Sequence, residues 1–171
     1  MVFDIHELGA RGPLTTVAML VVLDQIFNRI ARNRAAGRPT VIMIDEIYLL
    51  YANEYSANFL YSLWKRVRKM NAMCTGLSQN IEDLLQSYTA RTMLSNSEFV
   101  IMLNQAASDR EELAKLLDIS ETQLGYVTNV PAGRGLIKAG PALVPFENVI
   151  PKDTQTYRLL STKPGEFDTA A

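Results

Sequence analysis

The 171-residue chain is poor in the residues from which several kinds of site are built. Its one cysteine, Cys74, excludes an internal disulfide and a cysteine metal cluster, and fits a reducing compartment. Its one histidine, His6, excludes a multi-histidine metal centre and argues against a serine–histidine triad. The longest fully apolar run, residues 17–23, falls far short of the ~20 residues that a membrane span needs. The opening Met1-Val2-Phe3-Asp4 has no basic flank, so no signal peptide is expected. Net charge is −1, so no global field announces a polyanionic partner, and any nucleic-acid contact must be local. The pattern G-x-x-x-x-G-K-[ST] occurs nowhere: Gly9, Gly12, Gly37 and Gly76 all lack the Lys-Ser/Thr that follows it. The chain therefore has no such loop to cradle phosphates and no lysine placed to reach them.

What is present points to an ordered α/β chain. Apolar residues make up 48%, which argues against disorder, and the length suits a single domain over residues 1–171. A short strand is expected over residues 1–8. Apolar residues at Leu14, Val17, Ala18, Val21, Val22, Ile26, Phe27 and Ile30 recur at helical spacing, so a helix is expected over residues 14–34. Pro13 suits its first turn, Arg29, Arg32 and Arg34 complement its C-terminal dipole, and Gly37 can stop it. Thr40-Val41-Ile42-Met43-Ile44 reads as a buried strand of a parallel sheet. A second helix is expected over residues 55–70, with Phe59, Leu60, Leu63, Trp64 and Val67 inward. A strand over 73–77 ends at Ser78-Gln79, a helix covers 80–93, and an apolar strand covers 99–103. Ser108-x-x-Glu111 and Ser120-x-x-Gln123 match capping boxes, each opening a helix. Residues 134–138, 142–146 and 157–161 are strand-like, and residues 167–171 are expected to fray. The alternation of strand and helix over the first two-thirds predicts a mostly parallel sheet with crossover helices, to which the tail adds an antiparallel hairpin and an edge strand.

The candidate chemistry lies at the strand ends. Asp45 and Glu46 close the apolar strand at its carboxyl end, where open α/β sheets place their ligands. This is the arrangement of a Walker B element, in which one carboxylate helps hold Mg²⁺, through water at Asp45, and its neighbour orients or deprotonates the attacking water. The plain alternative is a solvated strand end. Gln79 ends the next strand and can act as a polar sensor of the γ-phosphate or the water. Its plain alternative is a cap for the helix near Asn80. The basic run Lys65-Arg66-Val67-Arg68-Lys69 reads mainly as a solvated helix end. Within it Arg68 is the best placed to serve as a finger reaching phosphates bound by a neighbouring subunit, and its helix is expected to end at the ligand edge of the sheet. The missing phosphate loop leaves two readings: the C-terminal piece of a larger motor whose loop lies upstream, or a nucleotide-free relative used as a docking module.

Several stretches carry a family resemblance. They are Val41-Ile42-Met43-Ile44-Asp45-Glu46, Arg68-Lys69-Met70-Asn71, Gly76-Leu77-Ser78-Gln79-Asn80, Asn96-Ser97, Ser108-Asp109-Arg110 and Gly133-Arg134-Gly135-Leu136-Ile137. In this order and spacing the chain resembles the C-terminal part of the type IV secretion and conjugative-transfer ATPases, the TraC and VirB-four-like group of RecA-like motors. Val144-Pro145-Phe146 and Ile150-Pro151-Lys152 give it a Tn916-type flavour. The resemblance implies a RecA-like P-loop NTPase core without its Walker A portion, and ATP hydrolysis with Mg²⁺. It implies homo-oligomers, often hexamers, working with other secretion-channel components at the cytoplasmic face of the bacterial membrane on DNA or protein substrates. Asp45 then matches the Mg²⁺-associated carboxylate, Glu46 the catalytic glutamate, Gln79 the glutamine of the following motif and Arg68 the intersubunit arginine. Arg110 and Arg134 fall in later basic motifs assigned to the nucleotide.

Overall fold

The computed structural model of the chain describes residues 1–4, 13–79 and 81–161, which form two compact units, Met1–Asn96 and Ser97–Ala171. In the first, helix α1 (Pro13–Ala35) leads to strand β1 (Thr40–Ile44) and a 3-10 helix, Ile47–Ala52. Helix α2 (Glu54–Arg66) follows, then a 3-10 turn (Val67–Met70), strand β2 (Ala72–Gly76) and helices α3 (Ile81–Gln86) and α4 (Tyr88–Ser95). Proline opens α1, and Gly37, at φ +66°, takes the left-handed turn that ends it, as the sequence suggests. The next turn brings Arg38 N–H onto the carbonyl of Asn33. Asn53 caps α2, its side chain accepting from Tyr55 N–H at 2.9 Å.

β1 and β2 pair in parallel, Thr40 opposite Ala72 and Ile44 opposite Gly76. The crossover is α2, whose Leu60 and Leu63 are fully buried. Leu60 packs with Ile47, Leu50, Leu84, Ala90 and Met93, and Leu63 with Ile30 and Ile42. Phe59, Trp64 and Val67 are only half-buried. The other face of the strand pair is open: Val41, Met43 and Met73 are 58–70% exposed, whereas parallel sheets are ordinarily covered on both sides. Among the described residues no helix is long and apolar enough to cross a membrane.

The second unit is built differently from the expectation. Strand β3 (Phe99–Met102) does not extend the parallel sheet. It pairs antiparallel with β4 (Arg134–Ala139), which pairs antiparallel with β5 (Ala142–Glu147). Its residues alternate, Val100 and Met102 buried, Phe99 and Ile101 exposed, the one-sided pattern of an antiparallel sheet. Between β3 and β4 lie helices α5 (Ala107–Leu117) and α6 (Glu121–Leu124). The box at Ser120 forms, with Ser120 and Gln123 bonding each other's backbone, whereas α5 begins at Ala107 with Ala106 at its N-cap, so position 108 lies inside the helix instead of opening it. Residues 157–161 are not a strand. Residues 157–160 belong to α7 (Gln155–Leu160), which is opened by Thr154, whose side chain accepts from Tyr157 N–H, and ends at Ser161. The expected helix over 80–93 is two helices, because Ser87 turns extended and caps α4 through Ala90 N–H. Of the strand expected over residues 1–8, residues 1–4 form no ladder and the remainder lies outside the described residues, as do Asn80 and residues 167–171.

Candidate functional site

The sheet's polarity places Asp45, Glu46 and Gln79 together. β1 and β2 run in the same direction, so the residues following each emerge at one edge, the carboxyl edge. Gln79 donates its backbone N–H to Glu46 Oε2 at 3.5 Å, a long and weak bond that nonetheless fixes proximity. It is the Gln79 amide, not its side chain, that makes this contact.

The chain between Asp45 and Ile47 is irregular in an informative way. Leu77 N–H donates to the carbonyl of Ile44 at 2.8 Å, and the Leu77 carbonyl accepts from Ile47 N–H at 2.9 Å. In a regular parallel ladder the second donor would be the N–H of Glu46. Two residues, Asp45 and Glu46, therefore stand opposite one, which is a β-bulge. Glu46 absorbs the extra length by adopting φ 47°, ψ 49°, a left-handed conformation that costs a non-glycine residue of order 1–3 kcal/mol. Its displaced N–H is not orphaned: Asp45 Oδ1 accepts it at 3.0 Å. Asp45 remains exposed and Glu46 half-buried, so both carboxylates are open to solvent at the edge.

Beyond the bulge Ile47 turns back into the core, 5% exposed, and starts the 3-10 helix. Its side chain lies over Gly76. A Cβ at position 76 would stand 2.6 Å from Ile47 Cδ1 and 3.3 Å from Cγ2, closer than packed carbon atoms tolerate. The bulge, the left-handed Glu46 and the Ile47–Gly76 contact were beyond a reading of the sequence by pattern. The one available signal was that an apolar residue, Ile47, follows the acidic pair directly.

Arg68 lies elsewhere. It sits in the turn Val67–Met70 ahead of β2, where the Asn71 carbonyl accepts from Thr40 N–H, and so at the amino edge of the sheet. The expectation that its helix ends at the ligand edge is incorrect. A crossover helix runs back against the strands it joins, so α2 starts near the carboxyl edge and ends at the other. Five-residue strands separate the two edges by at least ~13 Å. The amino edge is also where cations gather: Arg34 and Arg38 flank the turn leading to Thr40, and Arg68 and Lys69 precede Asn71, all exposed. Residues 25–44 and 55–81 contain no Asp or Glu. Asp45 and Glu46 follow β1 at the opposite edge, and Glu54 opens α2, which starts near that edge. Lys65 is engaged locally, its ammonium 4.0 Å from the Tyr61 ring centre and donating to the Tyr61 hydroxyl.

Arg110 and Arg134 belong to the second unit. Arg110 is half-buried in the first turn of α5. Arg134 pairs with Glu147 across the β4–β5 hairpin at 2.9 Å, both side chains about half exposed. Cys74, midway along β2, is half-buried, and burial pushes its thiol up to about 12 from 9.0, away from the thiolate form at neutral pH. Burial, and then the nearby Cys74, also raise Tyr51, whose hydroxyl donates to Met93 Sδ.

Comparison with known proteins gives two findings. A family model described as the TraG P-loop domain matches residues 1–133. Among solved structures, VirB4 of Thermoanaerobacter pseudethanolicus is similar, with a TM-score of 0.75 and 27% sequence identity over 88% of this chain and 41% of that one. The chain thus spans less than half the length of that protein. No curated protein matches.

Proposed function

The chain belongs to the TraG P-loop domain family, and from that premise we propose that it is the Walker B-bearing portion of a conjugative-transfer or type IV secretion ATPase. The observation that carries this reading is the meeting of Asp45, Glu46 and the Gln79 amide at one edge of a parallel strand pair, in a chain that shares its α/β fold with VirB4. P-loop proteins bind nucleotide, usually with Mg²⁺. Asp45 and Glu46 fit that role in part: they are adjacent, solvent-open oxygen donors of the hard type Mg²⁺ prefers. When bound, Mg²⁺ neutralises phosphate charge. Asp45 would hold the ion through water, Glu46 would take a proton from the attacking water, and Gln79 would read the γ-phosphate. Arg110 and Arg134 are assigned to the nucleotide as well.

Nothing in the sequence supplies the phosphate cradle, so the chain alone is expected to hydrolyse ATP negligibly. Turnover belongs to a complete motor that carries the loop. There we assign Arg68 to the neighbouring subunit's site. Its own Glu46 is beyond reach at the far edge, and a cationic edge facing an acidic one suits head-to-tail assembly of copies into a ring. Hexameric assembly, channel components as partners, DNA or protein as cargo, and work at the cytoplasmic face of the membrane are part of the same proposal.

The test is phosphate release by the complete motor with Mg²⁺ and ATP. Glu46→Gln should retain ATP binding and lose turnover by ~10²–10⁴-fold, the usual worth of a positioned base. An unchanged rate would assign Glu46 to structure alone. Robust turnover by the isolated 171-residue chain, abolished by Glu46→Gln, would refute the absence of a phosphate cradle.

A further inference from the structure

We propose that Gly76 and Ile47 form a positioning pair that fixes the direction of Glu46. The proposal rests on the reading of Glu46 as the base, and it concerns residues on the core side of the bulge rather than those facing the ligand. Glu46 is strained, and a strained residue persists only where its surroundings over-determine it. Its two neighbours along the chain supply that constraint. Asp45 accepts the Glu46 N–H, and Ile47 is held at both backbone and side chain: its N–H by the Leu77 carbonyl, its side chain by the cluster of Leu50, Leu60 and Leu84.

Ile47 can occupy that position only because residue 76 has no side chain. Gly76 is at ordinary negative φ, so backbone freedom does not explain it; close approach does. The atom that a Cβ would meet first is Ile47 Cδ1, at 2.6 Å. An alanine at 76 therefore forces the Ile47 side chain to shift, and because that side chain is 5% exposed and packed among Leu50, Leu60 and Leu84, the shift is expected to be carried through one peptide bond to Glu46 rather than absorbed by the terminal methyl alone. The same strand continues from Gly76 through Leu77 to the Gln79 amide, so both partners of the Glu46–Gln79 contact move relative to each other.

The stereochemistry provides its own rescue. Ile47→Val removes Cδ1 and leaves Cγ2, whose 3.3 Å approach needs a shift of only a few tenths of an ångström. Gly76→Ala should therefore damage the site, and Gly76→Ala with Ile47→Val should restore it.

Two measurements on the single and double variants decide the matter. The first uses the 171-residue chain and ¹H–¹⁵N NMR. In the parent chain, Glu46→Gln should shift the Gln79 amide resonance. In the Gly76→Ala background that response should vanish, and with Ile47→Val added it should return. The second uses the complete motor: Gly76→Ala should lower kcat by about 10²-fold, the cost of a misplacement near 1 Å, with KM for ATP unchanged, and Ile47→Val should recover most of the loss. A merely structural glycine would lower stability without this split between kcat and KM and without rescue. An intact NMR response and intact kcat in Gly76→Ala would overturn the proposal, even with Glu46→Gln inactive. Conversely, a positive NMR cycle beside a fully active Glu46→Gln motor would keep the positioning pair and remove the catalytic reading of Glu46. Should Gly76→Ala not fold, the double variant decides: folded with the NMR response and turnover of the parent supports the pair, folded without them overturns it.

Discussion

Arg68 and Glu46 stand at opposite ends of the same two parallel strands, the arginine ahead of β2 and the glutamate just past β1. No rotamer of Arg68 spans the length of the strands, so the two residues can serve one reaction only if they belong to different copies. In the assembled motor, Arg68→Lys should abolish turnover while each subunit still folds and binds nucleotide, because lysine lacks the planar donor fork and a finger is worth ~10³–10⁵ in rate. Mixing Arg68→Lys with Glu46→Gln subunits creates some interfaces with both residues intact. Activity should partly return. Two dead variants that co-assemble and stay dead would return Arg68 to the role of a helix-end cation.

The bulge makes a prediction about stability alone. Glycine accepts the backbone angles of Glu46 without strain, and the relief of ~1–3 kcal/mol exceeds the ~0.4–1 kcal/mol that glycine's freer unfolded chain gives back. Glu46→Gly should therefore stabilise the chain by about 1 kcal/mol in urea denaturation. A clear destabilisation would mean that the side chain, not the backbone, governs the local energetics.

The two faces of the strand pair should respond very differently to truncation. Leu60→Ala empties a fully buried site and should cost ~2–5 kcal/mol. Met43→Ala, on the open face, should stay within ~0.5 kcal/mol. Equal costs in thermal or urea unfolding would show that something covers Met43 in solution, such as another copy of the chain.

Alkaline pH should weaken the fold. The Cys74 thiol is raised by burial from 9.0 to about 12, so its contribution is fully present below pH 9 and is lost as pH rises towards 12. Tyr51, raised by burial and by Cys74, acts with the same sign from about its ordinary 10 upward. One such proton changes the unfolding free energy by up to ~1.4 kcal/mol per pH unit. Urea midpoints should thus fall between about pH 8 and about pH 10.5, and fall less in Cys74→Ala. A flat profile in the parent chain would contradict the burial of both groups.

The elements held by local signals were legible in the sequence. α1 had its periodicity, its proline and Gly37, and β1 had an unbroken apolar run ending in charge. The capping box at Ser120 was read and formed. What escaped notice depended on distant partners or on single residues. β3 looks like any buried strand, and only its pairing with β4 decides that it joins an antiparallel sheet. The Tyr-Arg-Leu-Leu run of α7 is too short for periodicity to separate helix from strand, and Thr154 settles it by capping. The edge on which Arg68 lies is not legible from its place ahead of a strand, because it depends on the direction in which that strand runs in the sheet. The Asp45–Glu46 pair was legible as chemistry, but its geometry was not, since a bulge is a mismatch between two strands and cannot be seen in either alone.

The extra residue at the end of β1 works as a parity switch. Side chains along a strand alternate between faces, and Ile42 and Ile44 define the even positions as the covered side. Had the alternation continued, position 46 would follow them inward and position 47 outward. The bulge exchanges the two: the carboxylate is released to the edge and Ile47 takes its turn in the core. Removing a single residue there would not shorten a loop. It would delete the bulge itself: the remaining acid would follow Ile44 outward and the isoleucine, two places after Ile44, would still face the core, so the loss should fall on the paired carboxylates and the left-handed turn rather than on the packing of the isoleucine.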